Sequence, residues 1–256
     1  MEFWKPSFIN TTTMLVVNSN TGTAENVMIP DVTYQYISSG LSTDGTIASM
    51  RINFAQTTTI DRLAIFTNSK QFRIFYNGLT ASTLALLSGA TTVSNWTNNS
   101  EGAMALNFTP VACTSLSIDM YSTQVSNAEK VISYLVVSES RYDFSRIPAA
   151  KGYRPILDGM EVEHRLSTGD TRVQTLSSKW EFEVELNYIT ETQRNELKEV
   201  YDLHDGHIFV PFPTTTSWDR VIAPVVWPKP FRFFSYSDNA PSAGFEGSMR
   251  LLETTP

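Results

Sequence analysis

Three glutamates alternate along residues 179–188, which read KWEFEVELNY. Side chains of an extended strand point to opposite faces in turn, so Glu181, Glu183 and Glu185 share one face. Residues i and i+2 of a strand lie about 6.8 Å apart, which is within the carboxyl separation of inverting glycosidases. Such an enzyme also needs one carboxyl group that burial keeps protonated. Three adjacent glutamates on one exposed face share an environment, so we expect no catalysis from this row.

A second group that could do chemistry is the pair His204 and His207, on either side of Asp205-Gly206. Two imidazoles this close could bind one metal ion, but the sequence shows no third ligand. The alternative is a helix C-terminus, where His204 meets the negative end of the helix dipole and Gly206 turns the chain. We predict no catalytic residue, no metal and no cofactor, and therefore not an enzyme.

The overall composition also limits the partners. The net charge of −7 argues against specific nucleic-acid binding, because phosphate contacts need a basic surface. No apolar stretch approaches the roughly 20 residues that cross a membrane, and the start, MEFWKPSFIN, lacks the apolar core of a signal peptide. The single cysteine, Cys113, excludes an internal disulfide and is predicted to be a small buried residue.

The glutamate row is positioned by a strand and followed by a helix. The other face of the strand is predicted to carry Trp180, Phe182, Val184, Leu186 and Tyr188. The next stretch, TETQRNELKEVYDLHDG, begins with Thr190 and Gln193 in the arrangement of a capping box. Its apolar stripe of Leu197, Val200, Tyr201 and His204 has helical spacing. Extended chain follows, which predicts an α+β module for the second half.

The two halves of the chain differ in composition. Residues 1–138 hold 14 charged residues, whereas 139–256 hold 31. The first half is a series of short alternating runs separated by Gly, Asn and Thr, which is typical of a β-sandwich. We predict a boundary in a connector at 139–150, and hence two domains, 1–140 and 141–256.

The first half resembles the discoidin, or galactose-binding-like, β-sandwich family. The resemblance covers roughly 10–140 and is carried by TGTAENVMIPD, YISSG, MRINFAQTTTIDRLAIFTN, FRIFYNG and EKVISYLVVSESRYDF. It implies a jelly-roll-like sandwich. The sequence keeps no ligand-loop signature of that family, and Trp96 is the best candidate for stacking on a sugar ring. A core or loop-anchoring role for Trp96 is the alternative.

The second half resembles the tube-like module of distal tail proteins of long-tailed phages. The resemblance covers about 158–213, through DGMEVEHRLSTGD, WEFEVELNY, ETQRNELKEVYDLHDG and HIFVPFP. It implies a homo-oligomeric ring, usually hexameric, in which strands of neighbouring subunits close a barrel around the path of the DNA. Glu181, Glu183 and Glu185 would then line the lumen and repel phosphates. The alternative is the solvated outer face of a monomer.

Together these features predict a mainly β protein with one clear helix, a sandwich followed by a ring-forming module. The expected function is structural: a virion protein, made in the host cytoplasm, that joins the tail tube to the tip or baseplate. Its partners would be further copies of itself, the tube and hub proteins, and glycans of the host surface. A carbohydrate-binding module protein is the alternative from a different class.

Overall fold

The computed structural model describes residues 1–10, 14–18, 23–29, 33–77, 84–86, 92–93, 96–100, 102–144, 153–165, 171–203, 206–211, 222–228, 230–235 and 244–254. The chain divides into two compact units. The N-terminal unit is built mainly from Glu2–Arg141, and the C-terminal unit from Tyr142–Phe209 and Ala223–Thr255. Antiparallel strands make up most of both, and one α-helix occurs in the described residues. The predicted mainly β fold with one clear helix is confirmed.

The N-terminal unit is built from strands and one short 3₁₀ helix, Ala24–Met28. Its strands are β1 (Glu2–Trp4), β2 (Met14–Val17), β3 (Tyr36–Ile37), β4 (Ala48–Thr67), β5 (Ser69–Asn77), β6 (Leu84–Leu86), β7 (Thr92–Val93), β8 (Trp96–Asn98), β9 (Ala103–Thr123) and β10 (Val131–Ser138). A further strand, β11 (Ser140–Asp143), lies at the boundary between the units. The predicted connector at 139–150 is therefore partly a strand, and Tyr142 in it is buried. Residues 145–150 lie outside the described part.

Two long strands, β4 and β9, run through both layers of the sandwich. Their pairing breaks between Asn53 and Thr58, and such an irregularity lets a strand turn from one layer into the other. On one side of the break, β4 pairs with β2 and β9 pairs with β5. On the other side, β4 pairs with β10. One apolar core joins the two layers, with Met50, Ile118 and Phe72 from one and Leu63, Ile65 and Val137 from the other.

The C-terminal unit combines an antiparallel sheet with the helix. Its elements are β12 (Tyr153–Arg165), β13 (Thr171–Ile189), α1 (Glu191–Leu203), β14 (His207–Val210), β15 (Ala223–Val226), β16 (Arg232–Ser235) and β17 (Phe245–Glu253). The strand order is β14-β15-β17-β13-β12, and β16 pairs with β17. The strand β13, which carries the glutamate row, is thus held between β12 and β17.

The predicted capping box begins α1. The Thr190 amide donates to Gln193 Oε1 at 2.9 Å, and the Gln193 amide donates to Thr190 Oγ1 at 3.2 Å. These bonds satisfy two backbone donors that the first turn leaves without helical acceptors. Leu197, Val200 and Tyr201 are buried as predicted, whereas His204 lies outside the described residues.

Replacing Thr190 with Ala is expected to destabilise the C-terminal unit by about 1 kcal/mol, because the side-chain cap is lost. Thr192→Ala is the matched control, since Thr192 is exposed within the helix and makes no cap. Urea unfolding followed by circular dichroism measures both changes. Equal stability of the two variants would contradict a role for the cap.

The end of β13 departs from simple alternation. Its pairing with β17 shifts between Leu186 and Ile189, and Tyr188 has a left-handed backbone, with φ of 59°. After this bulge the side chains of β13 point to the opposite faces from those that simple alternation predicts. Ile189 is therefore buried and Tyr188 is 67% exposed. The prediction that Tyr188 lies on the apolar face was wrong, because a bulge adds a residue that the period-2 pattern cannot show.

Candidate functional site

One face of the C-terminal sheet is apolar, and we call it the aromatic face. Trp180, Phe182, Val184 and Leu186 of β13 lie on it. The rings of Trp180 and Phe182 stack at 6.2 Å, and Phe209 of β14 lies 5.3 Å from Phe182. The helix packs on this same face, because the Arg194 guanidinium lies over the ring of Phe245 at 5.2 Å.

The opposite face carries the glutamates, and we call it the charged face. Cross-strand partners share a face, and the register places Glu183 between Arg154 of β12 and Arg250 of β17. Arginines therefore flank the glutamate row on both neighbouring strands. The row is not a uniform acidic stripe, and the sequence pattern of β13 alone could not show this.

Glu181 is held by Arg250 in a bidentate ion pair. Its two carboxylate oxygens accept from Arg250 Nε at 2.5 Å and Arg250 Nη2 at 2.7 Å. The side chain of Glu181 is 14% exposed and that of Arg250 is 61% exposed. The hydrogen bond from Arg250 holds the pKa of Glu181 below its ordinary value. The carboxylate is therefore ionised at neutral pH and positioned by a strand far from it in sequence.

This ion pair predicts a pH-dependent contribution to stability. Since the folded-state pKa of Glu181 is lowered, its contribution is present above the unfolded pKa and is lost as pH falls through the folded pKa. Because Arg250 is largely exposed, we expect Glu181→Gln to cost less than about 1 kcal/mol at pH 7. At pH 3 the difference from the unaltered protein should shrink.

Glu185→Gln is the matched control for this prediction, because Glu185 is exposed on the same row. Thermal unfolding at pH 7 and pH 3 gives the comparison. A loss for Glu181→Gln that is the same at both pH values would show that the carboxylate charge is not responsible.

The strand β12 forms an edge of this sheet. It extends over 13 residues and, among the described residues, pairs with β13 alone. Of the side chains of β12 that the structure describes, two apolar ones are exposed: Ile156, at 43%, and Leu157, at 54%. Ile156 lies opposite Glu181 and so belongs to the charged face, while Leu157 lies opposite Trp180 on the aromatic face. A long edge strand with exposed apolar side chains is a template for pairing with another chain.

A second apolar group is exposed at β16, on the opposite side of β17 from β13. Phe234 is 65% exposed and lies opposite Glu246, which places it on the charged face. Phe233 is buried on the aromatic face, 4.8 Å from Phe231. Thus β12 and β16 each present one exposed apolar side chain on the charged face.

The structure describes only one member of the histidine pair. His207 is buried in β14, where it lies opposite Val225, and its predicted companion His204 is outside the described residues. No group of three His, Cys, Asp or Glu side chains in the described part could hold a metal ion. Cys113 is buried as predicted, and desolvation raises the pKa of its thiol to about 11.

The N-terminal unit carries an ordered polar patch on the outer face of β4, β9 and β5. Asp119 accepts from Ser49 Oγ at 2.7 Å and from Arg73 Nε at 2.9 Å, and the Arg73 guanidinium lies 5.1 Å from the ring of Phe75. The backbone of Trp96 lies in β8, which pairs with β5. The side chain of Trp96, the predicted glycan contact, lies outside the described part. Sequence reasoning missed the Asp119 patch because its members come from three separate strands.

The comparisons with known proteins concern about half of the chain. No family model matches it, and no curated protein matches it. Among solved structures, a pectin-binding carbohydrate-binding module is 17% identical over 48% of this chain and 88% of its own, with a TM-score of 0.38. CpGH89CBM32-5 from Clostridium perfringens, in complex with GalNAc-β-1,3-galactose, is 10% identical over 49% and 94%, with a TM-score of 0.41.

A third structure, the family 32 carbohydrate-binding module of C. perfringens NanJ in complex with galactose, is 15% identical over 54% and 100%, with a TM-score of 0.42. At these identities and scores the matches identify neither a family nor a ligand for this chain. None of the helices in the described residues is long and apolar enough to cross a bilayer.

Proposed function

We propose that this chain is a structural assembly protein whose C-terminal unit joins further copies of itself into a ring. The observation that carries the proposal is the edge strand β12, which in the described residues pairs with β13 alone and has Ile156 and Leu157 exposed on its two faces. An isolated soluble subunit gains nothing from such an edge, and natural sheets usually block or cover it. Pairing with a strand of a neighbouring copy would satisfy the backbone groups of β12 that, in the described residues, do not bond to β13, and would cover the flank of both side chains.

Strand pairing also has a geometric consequence for the glutamates. A strand added at an edge keeps the faces of the sheet continuous, because cross-strand partners share a face. The charged face of every copy would then lie on the same side of the ring. Since α1 occupies the aromatic face, the ring would carry its helices outside and Glu181, Glu183 and Glu185 towards the lumen. The positive charges of the flanking arginines would make the repulsion of phosphates weaker than the glutamates alone would make it.

The biological setting we propose is the tail of a long-tailed phage, where such a ring would join the tail tube to the tip. The resemblance of 158–213 to distal tail proteins supports this setting, and the sandwich would lie at the periphery of the ring. In this role the protein is not an enzyme. Its direct partners are copies of itself and the tail proteins above and below it, while DNA passes through without specific contacts.

Amide hydrogen exchange at two protein concentrations tests the role of β12. If copies pair through this edge, the β12 amides that do not bond to β13 become protected when the protein is concentrated and exchange faster on dilution. The β5 amides, which bond within the sandwich, serve as the internal control. Exchange of β12 that is independent of concentration, in samples whose mass shows assembly, would exclude this edge as the contact.

A second candidate function is glycan binding by the N-terminal unit, favoured by the patch of Asp119, Arg73 and Phe75 beside β8. Rigid carboxylate and guanidinium groups can accept from and donate to neighbouring sugar hydroxyls. If this patch binds glycans, Asp119→Asn should weaken binding on a glycan array at least about tenfold, a change of 1.4 kcal/mol; Trp96→Ala tests separately the glycan contact predicted from the sequence. An array with no bound glycan for the unaltered protein would remove this candidate.

A further inference from the structure

One lysine of the N-terminal unit is completely buried. Lys130, immediately before β10, has no exposed surface, although lysine is almost never fully buried unless its charge is paired. Its ammonium group donates to the backbone carbonyls of Leu41 at 2.6 Å and Thr43 at 2.7 Å. Both acceptors belong to the loop 38–46, so this loop wraps around the end of the lysine side chain.

The same loop is tied to Lys130 at its beginning. The Lys130 amide donates to Ser38 Oγ at 2.8 Å, and the Ser38 amide donates to the Lys130 carbonyl at 2.9 Å. The Gly40 amide donates to Glu129 Oε1 at 3.2 Å. The loop is therefore hydrogen-bonded to the residues just before β10 through both backbone and side-chain atoms, in addition to its two bonds with the ammonium group.

Asp44 extends this arrangement to the turn 122–128. Its Oδ1 accepts from the Thr123 amide at 3.2 Å, Thr123 Oγ1 at 3.1 Å and the Asn127 amide at 3.1 Å. Asn127 in turn accepts from the Asp44 amide through Oδ1 at 3.2 Å. The Asp44 carboxylate acts electrostatically on the Lys130 ammonium group, and it also anchors the turn.

We infer that the loop 38–46 is a cation cradle whose occupant is the ammonium group of Lys130, and that this built-in cation locks the loop to the turn 122–128. Backbone carbonyls and a carboxylate are the oxygen ligands that hard cations take in proteins. Here the chain supplies the cation itself. Without it, the carbonyls of Leu41 and Thr43 would lose the donor that they share.

The lock depends on the charge of the Lys130 ammonium group and not only on the volume of its side chain. Desolvation lowers the pKa of Lys130, and the nearby Asp44 carboxylate opposes this shift. The lock should therefore open at alkaline pH, below the pH at which an exposed lysine loses its proton. It depends on neither the ring nor a glycan, so its outcome is independent of the proposed function.

Hydrogen exchange of four amides tests the lock. The Leu41 and Thr46 amides donate within the loop, and the Thr123 and Asn127 amides donate from the turn to Asp44. We expect Lys130→Met, which keeps an apolar stem without the charge, to speed their exchange at least about tenfold while amides between β5 and β9 stay unchanged. Lys70→Met is the matched control, because Lys70 is exposed. Unchanged exchange, or an equal increase in both sets of amides, would overturn the inference.

Chemical rescue tests the charge directly. In Lys130→Ala, added methylammonium should restore slow exchange of the same four amides, whereas methanol should not. Equal rescue by methanol would show that filling space is sufficient and would also overturn the inference. If neither variant folds, the unaltered protein is followed from pH 7 to pH 10, with exchange corrected for its intrinsic pH dependence. The loop should then loosen before the β5–β9 amides, and simultaneous loosening of both would contradict a local lock.

Discussion

Replacing both Ile156 and Leu157 with lysine is expected to prevent self-association of the protein. The two side chains are 43% and 54% exposed on the edge strand, and pairing with a neighbouring copy would cover the part of that surface that faces the edge. Full burial of an exposed aliphatic side chain contributes roughly 1.5–3 kcal/mol; because these two are already about half buried, losing both should weaken association at least about tenfold. Two buried lysines would oppose it further.

The matched control is Val125→Lys. Val125 is 73% exposed and belongs to the N-terminal unit. Sedimentation velocity over a concentration series measures association of all three proteins, and circular dichroism checks that each is folded. If the double variant assembles as well as the Val125 variant, the edge of β12 is not the contact between copies.

Replacing Gly247 with Ala is expected to have the largest effect on stability. A Cβ atom at this position of β17 would lie 2.3 Å from the backbone oxygen of Arg232 and 2.3 Å from the ring of Phe233. Because one of these atoms is backbone, β16 must move away from β17, which exposes the buried Phe233. Overpacking of this kind costs about 3 kcal/mol.

Gly45→Ala is the control for this substitution, since a Cβ atom there meets nothing within 4 Å. It should be neutral or slightly stabilising, because alanine restricts the unfolded chain more than glycine does. Calorimetric unfolding gives both values. A Gly247→Ala variant within 0.5 kcal/mol of the unaltered protein, a margin typical of harmless surface changes, would show that β16 is not held closely against β17.

Local sequence patterns predicted the features that depend on neighbouring residues. The capping box of Thr190 and Gln193 and the buried stripe of Leu197 and Val200 follow from helical spacing within a few residues. The alternation of β13 held through Leu186, up to which its pairing with β17 is regular. It failed at Tyr188, because a bulge depends on the partner strand and leaves no mark in the period of the sequence.

The features that were missed depend on residues distant in sequence. Glu181 and Arg250 are 69 residues apart, and the Lys130 ammonium meets carbonyls 89 and 87 residues earlier. No pattern within one strand can show that a glutamate row will be flanked by arginines. Equally, no local signal distinguishes a lysine that will be buried from one on the surface, because burial is decided by how the loops close over it.

The central claim, that copies of this chain form a ring through the C-terminal unit, is tested most directly by its mass in solution. Light scattering coupled to size exclusion, over a series of concentrations, compares the unaltered protein with the Ile156→Lys, Leu157→Lys double variant. The account predicts a discrete species several times the 28.7 kDa of one chain for the unaltered protein and a monomer for the variant. A monomer at every concentration for both proteins, or an equal multiple for both, would contradict it.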